Sequence, residues 1–279
     1  MNIYISASEL AVLTRHNTYK DISEMYIKYW QKYFKSDYDR IIASVSKTNQ
    51  KIILPETASQ SVARIAKEHN LKKEDVEKVF KSSNKKTVTS MNKDRESALK
   101  SMLKKVPKKE QDLLTKSVNS VAFTNFGTKN ETGGVKLFEQ LRTVVVETPS
   151  NYFSNNLFIT EDLNNKPNTW IIGGKIDGLY TNNDGDKVIL EIKNRMRGLF
   201  NSLRDYEKVQ CYAYMHILDL EQVSLAECYK TKEGNEMCII DITWDDDYWE
   251  TEIVDKLSHF IDDFYDFLKD DNRKRAIIT

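Results

Sequence analysis

The chain has 279 residues, 42 Lys+Arg against 42 Asp+Glu, 40% apolar residues, four Pro and nine Gly. This length fits one large domain, or a domain with an insertion, and allows a substantial core; 10% aromatics with zero net charge exclude disorder as the main state. No apolar run approaches the roughly 18 residues that span a bilayer, and the opening MNIYISASELAVL lacks the basic start and cleavage site of a secretory signal, so a soluble, intracellular protein is expected.

Ser6 to about Tyr33 reads as two helices. Ser6 or Ser8 supplies an N-cap before Glu9, and Ile22, Met25, Tyr26, Tyr29 and Trp30 recur at helical spacing. From about Val45 to Val118 the chain is rich in Lys, Ser and Asn with short helical pieces. Two of these, around Asn70-Leu71, scan like a helix-turn-helix or any helical hairpin. Between Leu71 and Lys116 there are 14 Lys/Arg against 7 Asp/Glu, whereas Asp241 to Asp271 holds 12 acids against 2 bases. A basic middle could follow a phosphate backbone while the acidic end is kept away from it; two solvated helical faces are the simpler reading.

A helix from about Asn130 to Val144 is expected next, then strands. Trp170 to Tyr180 and Lys187 to Lys193 are rich in β-branched residues and flank the turn cluster Thr181 to Asp186, which predicts a hairpin. Leu203 to Leu218 reads as a helix, Val223 to Tyr229 and Met237 to Thr243 as strands, and Asp247 to Lys269 as a closing helix. The order predicts an α/β (α+β) fold with a mixed central sheet flanked by helices. Asp245-Asp246-Asp247 reads as a helix N-terminal cluster with Trp244 and Trp249 packed beneath it. Cys211, Cys228 and Cys238 have no metal-ligand spacing, and the four His residues are scattered.

The hairpin carries the chemistry. If it closes about Asp184, facing residues sum to 368, which sets Asp177 opposite Glu191. Period two then places Lys193 on the side of Glu191, while Val188, Leu190 and Ile192 point into apolar packing. Opposed carboxylates repel unless a cation lies between them, and Mg²⁺ would resolve that cost. Glu191-Ile192-Lys193 is the one acidic-x-Lys triplet in the chain; a sheet-edge salt bridge is its alternative reading. On the following helix Gln210 and Tyr214 share a face, where a buried Gln needs hydrogen-bond partners.

Four segments together resemble the PD-(D/E)xK nuclease superfamily, specifically lambda-type exonucleases and YqaJ-like viral recombinases. They are Ser6 to Ala11 with His16 to Lys20, Gly127 to Glu131, Gly174 to Leu179, and Leu190 to Lys193 leading to Gln210 to Tyr214. The resemblance implies a restriction-endonuclease-like core in 1–44 and 119–279, with a basic helical insertion in 45–118. It implies a Mg²⁺-dependent nuclease, with Mn²⁺ as substitute, that works 5′→3′ on duplex DNA ends in recombination or replication. An endonuclease, a single-strand or RNA nuclease, and an inactive nucleic-acid-binding module are the alternatives. Asp177, Glu191 and the carbonyl of Ile192 would ligate the metal, Glu131 would support a second metal or its water, and Lys193 would position or deprotonate the attacking water. Gln210 and Tyr214 match the family's Q-x-x-x-Y element, and Ser8 the serine that holds a terminal phosphate. The arginine that precedes this serine in the family has no counterpart, and Arg15 or the basic insertion would replace it. A single-strand annealing partner, a homo-oligomeric ring around DNA, and a viral or phage source active in a host cell are likewise implied by the family alone.

Overall fold

Asn2–Ser6 alternates exposed and buried residues, with Ile3 and Ile5 inward, and forms a strand, β1, ahead of the first helix. The sequence reading starts at Ser6 and assigns no element before it; five residues are too few for periodicity to declare a strand. A computed structural model describes residues 1–48, 50–161 and 167–279. Helix α1 (Ala7–Leu13) starts at Ser6, whose N–H donates to the Glu9 carboxylate at 3.3 Å, so Ser6 rather than Ser8 is the cap. Helices α2 (Ile22–Tyr33) and α3 (Lys35–Ser46) follow, α2 capped by Asp21 accepting from the Ser23 N–H at 2.9 Å.

The Lys-rich middle folds into α4 (Ala58–Glu68), α5 (Lys73–Ser82), α6 (Val88–Leu103) and the 35-residue α7 (Lys108–Arg142). Val62, Ile65, Val79, Ala98, Leu114 and Val118 give these helices an apolar cluster of their own. The helix expected from Asn130 thus begins at Lys108 and runs unbroken through Thr132-Gly133-Gly134, against local propensity. Close packing explains the glycines: a Cβ on Gly134 would lie 2.7 Å from Ile192 Cγ2 and 3.1 Å from Cys228 Sγ, and one on Gly133 would lie 2.5 Å from Lys230 Nζ. Tertiary contact with the sheet outweighs the roughly 1 kcal/mol that each glycine costs a helix. Gly134→Ala is therefore expected to destabilise the protein by about 1–3 kcal/mol through overpacking, despite better helix propensity, as read from chemical denaturation.

Strands β2 (Phe153–Glu161) and β3 (Pro167–Gly174) complete a first sheet in the order β1-β3-β2, with β1 parallel to β3 and β2 antiparallel. Strands β4 (Gly178–Thr181) and β5 (Lys187–Asn194), helix α8 (Asp205–Leu218), and strands β6 (Gln222–Lys230) and β7 (Asn235–Thr243) build a second sheet in the order β4-β5-β6-β7, in which only β5 and β6 run parallel. The mixed α/β class holds, with the sheet in two pieces. The segment expected as one strand from Trp170 to Tyr180 breaks at Lys175-Ile176-Asp177 and contributes β3 to one sheet and β4 to the other. At the break Gly174 passes close to two helices, since a Cβ there would lie 2.8 Å from the Tyr214 ring and 3.3 Å from the Ala7 Cβ.

The chain closes with the turn α9 (Asp246–Tyr248), a π-helical turn at Trp249–Val254, α10 (Asp255–Lys269) and α11 (Asp271–Ile278). Asp245 caps this helix by accepting from the Tyr248 N–H at 3.2 Å, and the Trp244 and Trp249 rings lie 5.0 Å apart at its start. The main core lies between the sheets and α1, α2, α8 and α10, around Trp30, Trp170, Tyr212 and Phe264. Among the described residues no helix is long and apolar enough to cross a membrane.

Candidate active site

The β4/β5 hairpin has the register expected from the sequence: Gly178 faces Leu190, Leu179 faces Ile189 and Tyr180 faces Val188. Val188, Leu190 and Ile192 are buried in one apolar cluster with Val135, Phe138 and Tyr180, so Glu191 and Lys193 project from the opposite face. Pairing with β4 stops at Leu190. Beyond it the Asp177 side chain replaces the missing strand, its Oδ2 accepting from the Ile192 N–H at 2.7 Å. In a strand the N–H and C=O of one residue point to the same side, so the Ile192 carbonyl projects from this open edge beside Asp177.

Glu191 is 4% exposed and sits at the centre of a polar chain. Lys193 Nζ donates to Glu191 Oε1 at 2.6 Å and to Gln210 Oε1 at 2.9 Å; Gln210 Nε2 donates to Glu191 Oε1 at 3.2 Å and to the Tyr214 hydroxyl at 2.9 Å. Both polar ends of the Gln210 amide are thus in use, which fixes its orientation and holds Lys193 against Glu191. The sheet-edge salt bridge does form, but within a buried network rather than as an isolated surface pair.

Three acids converge electrostatically. Burial and the Glu191 charge push the Asp177 carboxyl up to about 8, with Glu131 adding to the rise. Glu131, on α7, is likewise raised by burial and by Glu191. Burial works against the charge of Lys193, yet Glu191 outweighs it and the ammonium is pushed up to about 12. The site therefore has an excess of carboxylate over ammonium, and Asp177 relieves it by retaining a proton near neutral pH. Carboxylate and carbonyl oxygens at one edge are the hard donors that Mg²⁺ or Mn²⁺ accepts, and a divalent cation would relieve the same repulsion.

Ser8 lies exposed on the first turn of α1, its Oγ 3.2 Å from Ser6 Oγ, next to the Ala7 that flanks Gly174 and Tyr214. Arg15 is elsewhere. With φ at 61° it lines a separate cavity of about 540 Å³ with Tyr26, Lys256, His259 and Asp263. Among the described residues the one trio of His, Cys, Asp or Glu with ligand atoms within 4.8 Å of one another is Glu68, His69 and Glu110, on the helical segment. Arg64 already pairs with Glu68 at 2.9 Å, and Glu110 Oε2 lies 2.5 Å from His69 Nε2, so these charges are satisfied locally. Glu131, Asp177 and Glu191 do not form so tight a trio.

Sequence reasoning missed the buried charges beside the site. Arg195 forks onto Glu207 at 2.7 and 2.8 Å and its Nε donates to Glu227 at 2.8 Å, while the second Glu227 oxygen accepts from the N–H groups of Phe200 and Asn201. The available signal was Glu227 itself, a lone acid in the apolar run Val223 to Tyr229, which burial permits only with a cation at hand. Arg195→Ala leaves two carboxylates buried without their cation. A loss of about 3–5 kcal/mol in denaturant unfolding is expected, and Arg195→Lys should recover only part of it because an ammonium cannot fork.

No protein-family model matches the chain, and no curated protein matches it. Among solved structures the chain is similar to a phage-related exonuclease from Haemophilus somnus 129PT, at 15% identity over 53% of this chain and 72% of that one with a TM-score of 0.38. It is also similar to an alkaline exonuclease from Laribacter hongkongensis, at 15% identity over 79% of this chain and 93% of that one with a TM-score of 0.36. The same exonuclease in complex with dAMP matches at 13% identity over 71% and 91% of the two chains, with a TM-score of 0.34.

Proposed function

We propose that this chain is a divalent-metal-dependent DNA nuclease that degrades duplex DNA 5′→3′ from its ends. The observation that carries the reading is the end of β5 beyond its pairing with β4, where Asp177 accepts from the Ile192 N–H and Glu191 meets an ammonium that Gln210 holds in place. Carboxylates without a cation would repel phosphate, so a site of this charge suits phosphodiester chemistry only with metal. A bound Mg²⁺ would polarise the phosphate and lower the pKa of a water molecule.

The residues of the chain supply the rest. Asp177, Glu191 and the Ile192 carbonyl would hold the ion, and Glu131 would support a second ion or its water. Lys193, which donates to Glu191, would set a positive charge against the developing phosphorane and position or deprotonate the attacking water. Gln210 sets its direction, and Tyr214 anchors Gln210. Ser8 is assigned to a terminal phosphate. The basic segment between Leu71 and Lys116 is assigned to the duplex backbone. The role in recombination or replication, a single-strand annealing partner and a ring assembly belong to the same proposal.

The test is cleavage of linear duplexes labelled at one end, with and without a 5′-phosphate, in Mg²⁺ and in EDTA. Mg²⁺-dependent release of mononucleotides from the 5′ end supports the proposal. Cleavage of a closed circle would make the protein an endonuclease, and no cleavage of duplex, single-stranded DNA or RNA would leave a binding module.

A further inference from the structure

The segment from Arg195 to Arg204 leaves β5 two residues past Lys193 and rejoins the site through α8, which carries Gln210. It has no regular structure, yet it is tightly held. Glu227, paired in register with Lys193 on the neighbouring strand and fully buried, accepts from the backbone N–H of Phe200 at 2.9 Å and of Asn201 at 3.0 Å. Arg195 locks the same carboxylate to Glu207 at the start of α8. Gly198 at φ 127° and Asn201 at φ 54° let the chain turn around this anchor.

This rigid loop displays an aromatic ring at the surface. Phe200 is 40% exposed, and two guanidiniums lie over it, Arg195 at 4.2 Å and Arg204 at 4.3 Å from the ring centroid. Arg204 and Arg197 are themselves exposed. The ring covers the buried Arg195 guanidinium with part of its surface and keeps the rest in water. Its surroundings are those of a stacking platform, with planar π and guanidinium faces for a base and positive charge for the adjacent phosphate.

We propose that the Phe200–Arg204 pair is a nucleobase-stacking platform that binds the unpaired nucleotides of a DNA end next to the scissile phosphate. This rests on the nuclease reading for its location, because the loop joins the two elements that hold Lys193. Charge complementarity and continuity with that site identify the occupant as single-stranded nucleic acid.

The experiment uses the full chain in Ca²⁺ with a duplex whose terminal nucleotides are mismatched and carry 2-aminopurine, and it reads fluorescence quenching and Kd together with Mg²⁺-dependent cleavage. The parent should quench the base on binding. Phe200→Ala should lose most of the quench and weaken binding about tenfold, and Phe200→Trp should restore both. A Phe200→Ala protein that quenches and binds like the parent, while the parent cleaves DNA, overturns the platform alone. Quenching that depends on Phe200 in a parent that never cleaves supports the platform and overturns the nuclease reading instead.

Discussion

Lys193→Ala is expected to lower the rate of phosphodiester hydrolysis by about a thousandfold while DNA binding in Ca²⁺ is retained. The Lys193 ammonium is the one side-chain cation among the described residues that touches Glu191, and Gln210 fixes it from the other side. A preorganised charge of this kind acts mainly on the transition state, where negative charge on the phosphate increases, and removing one such group costs about 3–4 kcal/mol of barrier. Lys193→Arg should recover little, since the larger fork cannot meet Glu191 Oε1 and Gln210 Oε1 from the position of a single nitrogen. Single-turnover cleavage of an end-labelled duplex measures the effect. A loss of less than tenfold would remove Lys193 from the chemistry and return the Glu191–Lys193 pair to a purely structural role.

Gln210→Leu tests the same geometry from behind. It removes one acceptor from Lys193 and one donor from Glu191, so the rate should fall about ten- to a hundredfold with KM little changed, as expected for a residue that positions another. Tyr214→Phe removes only the acceptor of the second Gln210 donor and should cost less.

The sequence was informative wherever a short-range rule determines geometry. The Asn182 to Asp186 turn forces one register on β4 and β5, so the pairing of Gly178 with Leu190 could be counted from the turn, and with it the faces of Glu191 and Lys193. The i, i+4 spacing of Gln210 and Tyr214 was equally safe. What could not be read depends on packing between distant segments. Gly133 and Gly134 look like helix breakers, and only the approach of β5 and β6 shows why α7 needs them. The division of Trp170 to Tyr180 between two sheets has no local mark beyond its glycines, Gly173, Gly174 and Gly178. Arg15, expected to stand in for the family's phosphate arginine, lines a cavity with Asp263 and Tyr26, a neighbourhood that no local spacing announces. The Arg195 cluster joins residues 12 and 32 positions apart, which no periodicity connects.

Asp177→Asn separates stability from activity. The Asp177 carboxyl ionises near 8 in the folded, metal-free protein because of burial and the Glu191 charge, against about 4 for an unfolded aspartate. Between these values the folded chain keeps a proton that the unfolded chain has released. Its stabilising effect is complete below about pH 4 and is lost as pH rises towards 8, with a slope of up to about 1.4 kcal/mol per pH unit. Metal-free protein should therefore melt at lower temperature at pH 8 than at pH 5.5, and Mg²⁺ should reverse the loss by binding the ionised form. The asparagine keeps an oxygen for the Ile192 N–H but carries no charge. The variant should lose this part of the pH dependence, melt a few degrees above the metal-free parent at pH 8, gain little from Mg²⁺, and cleave DNA at least a thousandfold more slowly. Scanning calorimetry across pH with and without Mg²⁺ decides the matter. If the parent melts independently of pH and Mg²⁺, Asp177 does not belong to a metal site, and the carboxylates at this edge are only structural partners of Ile192 and Lys193.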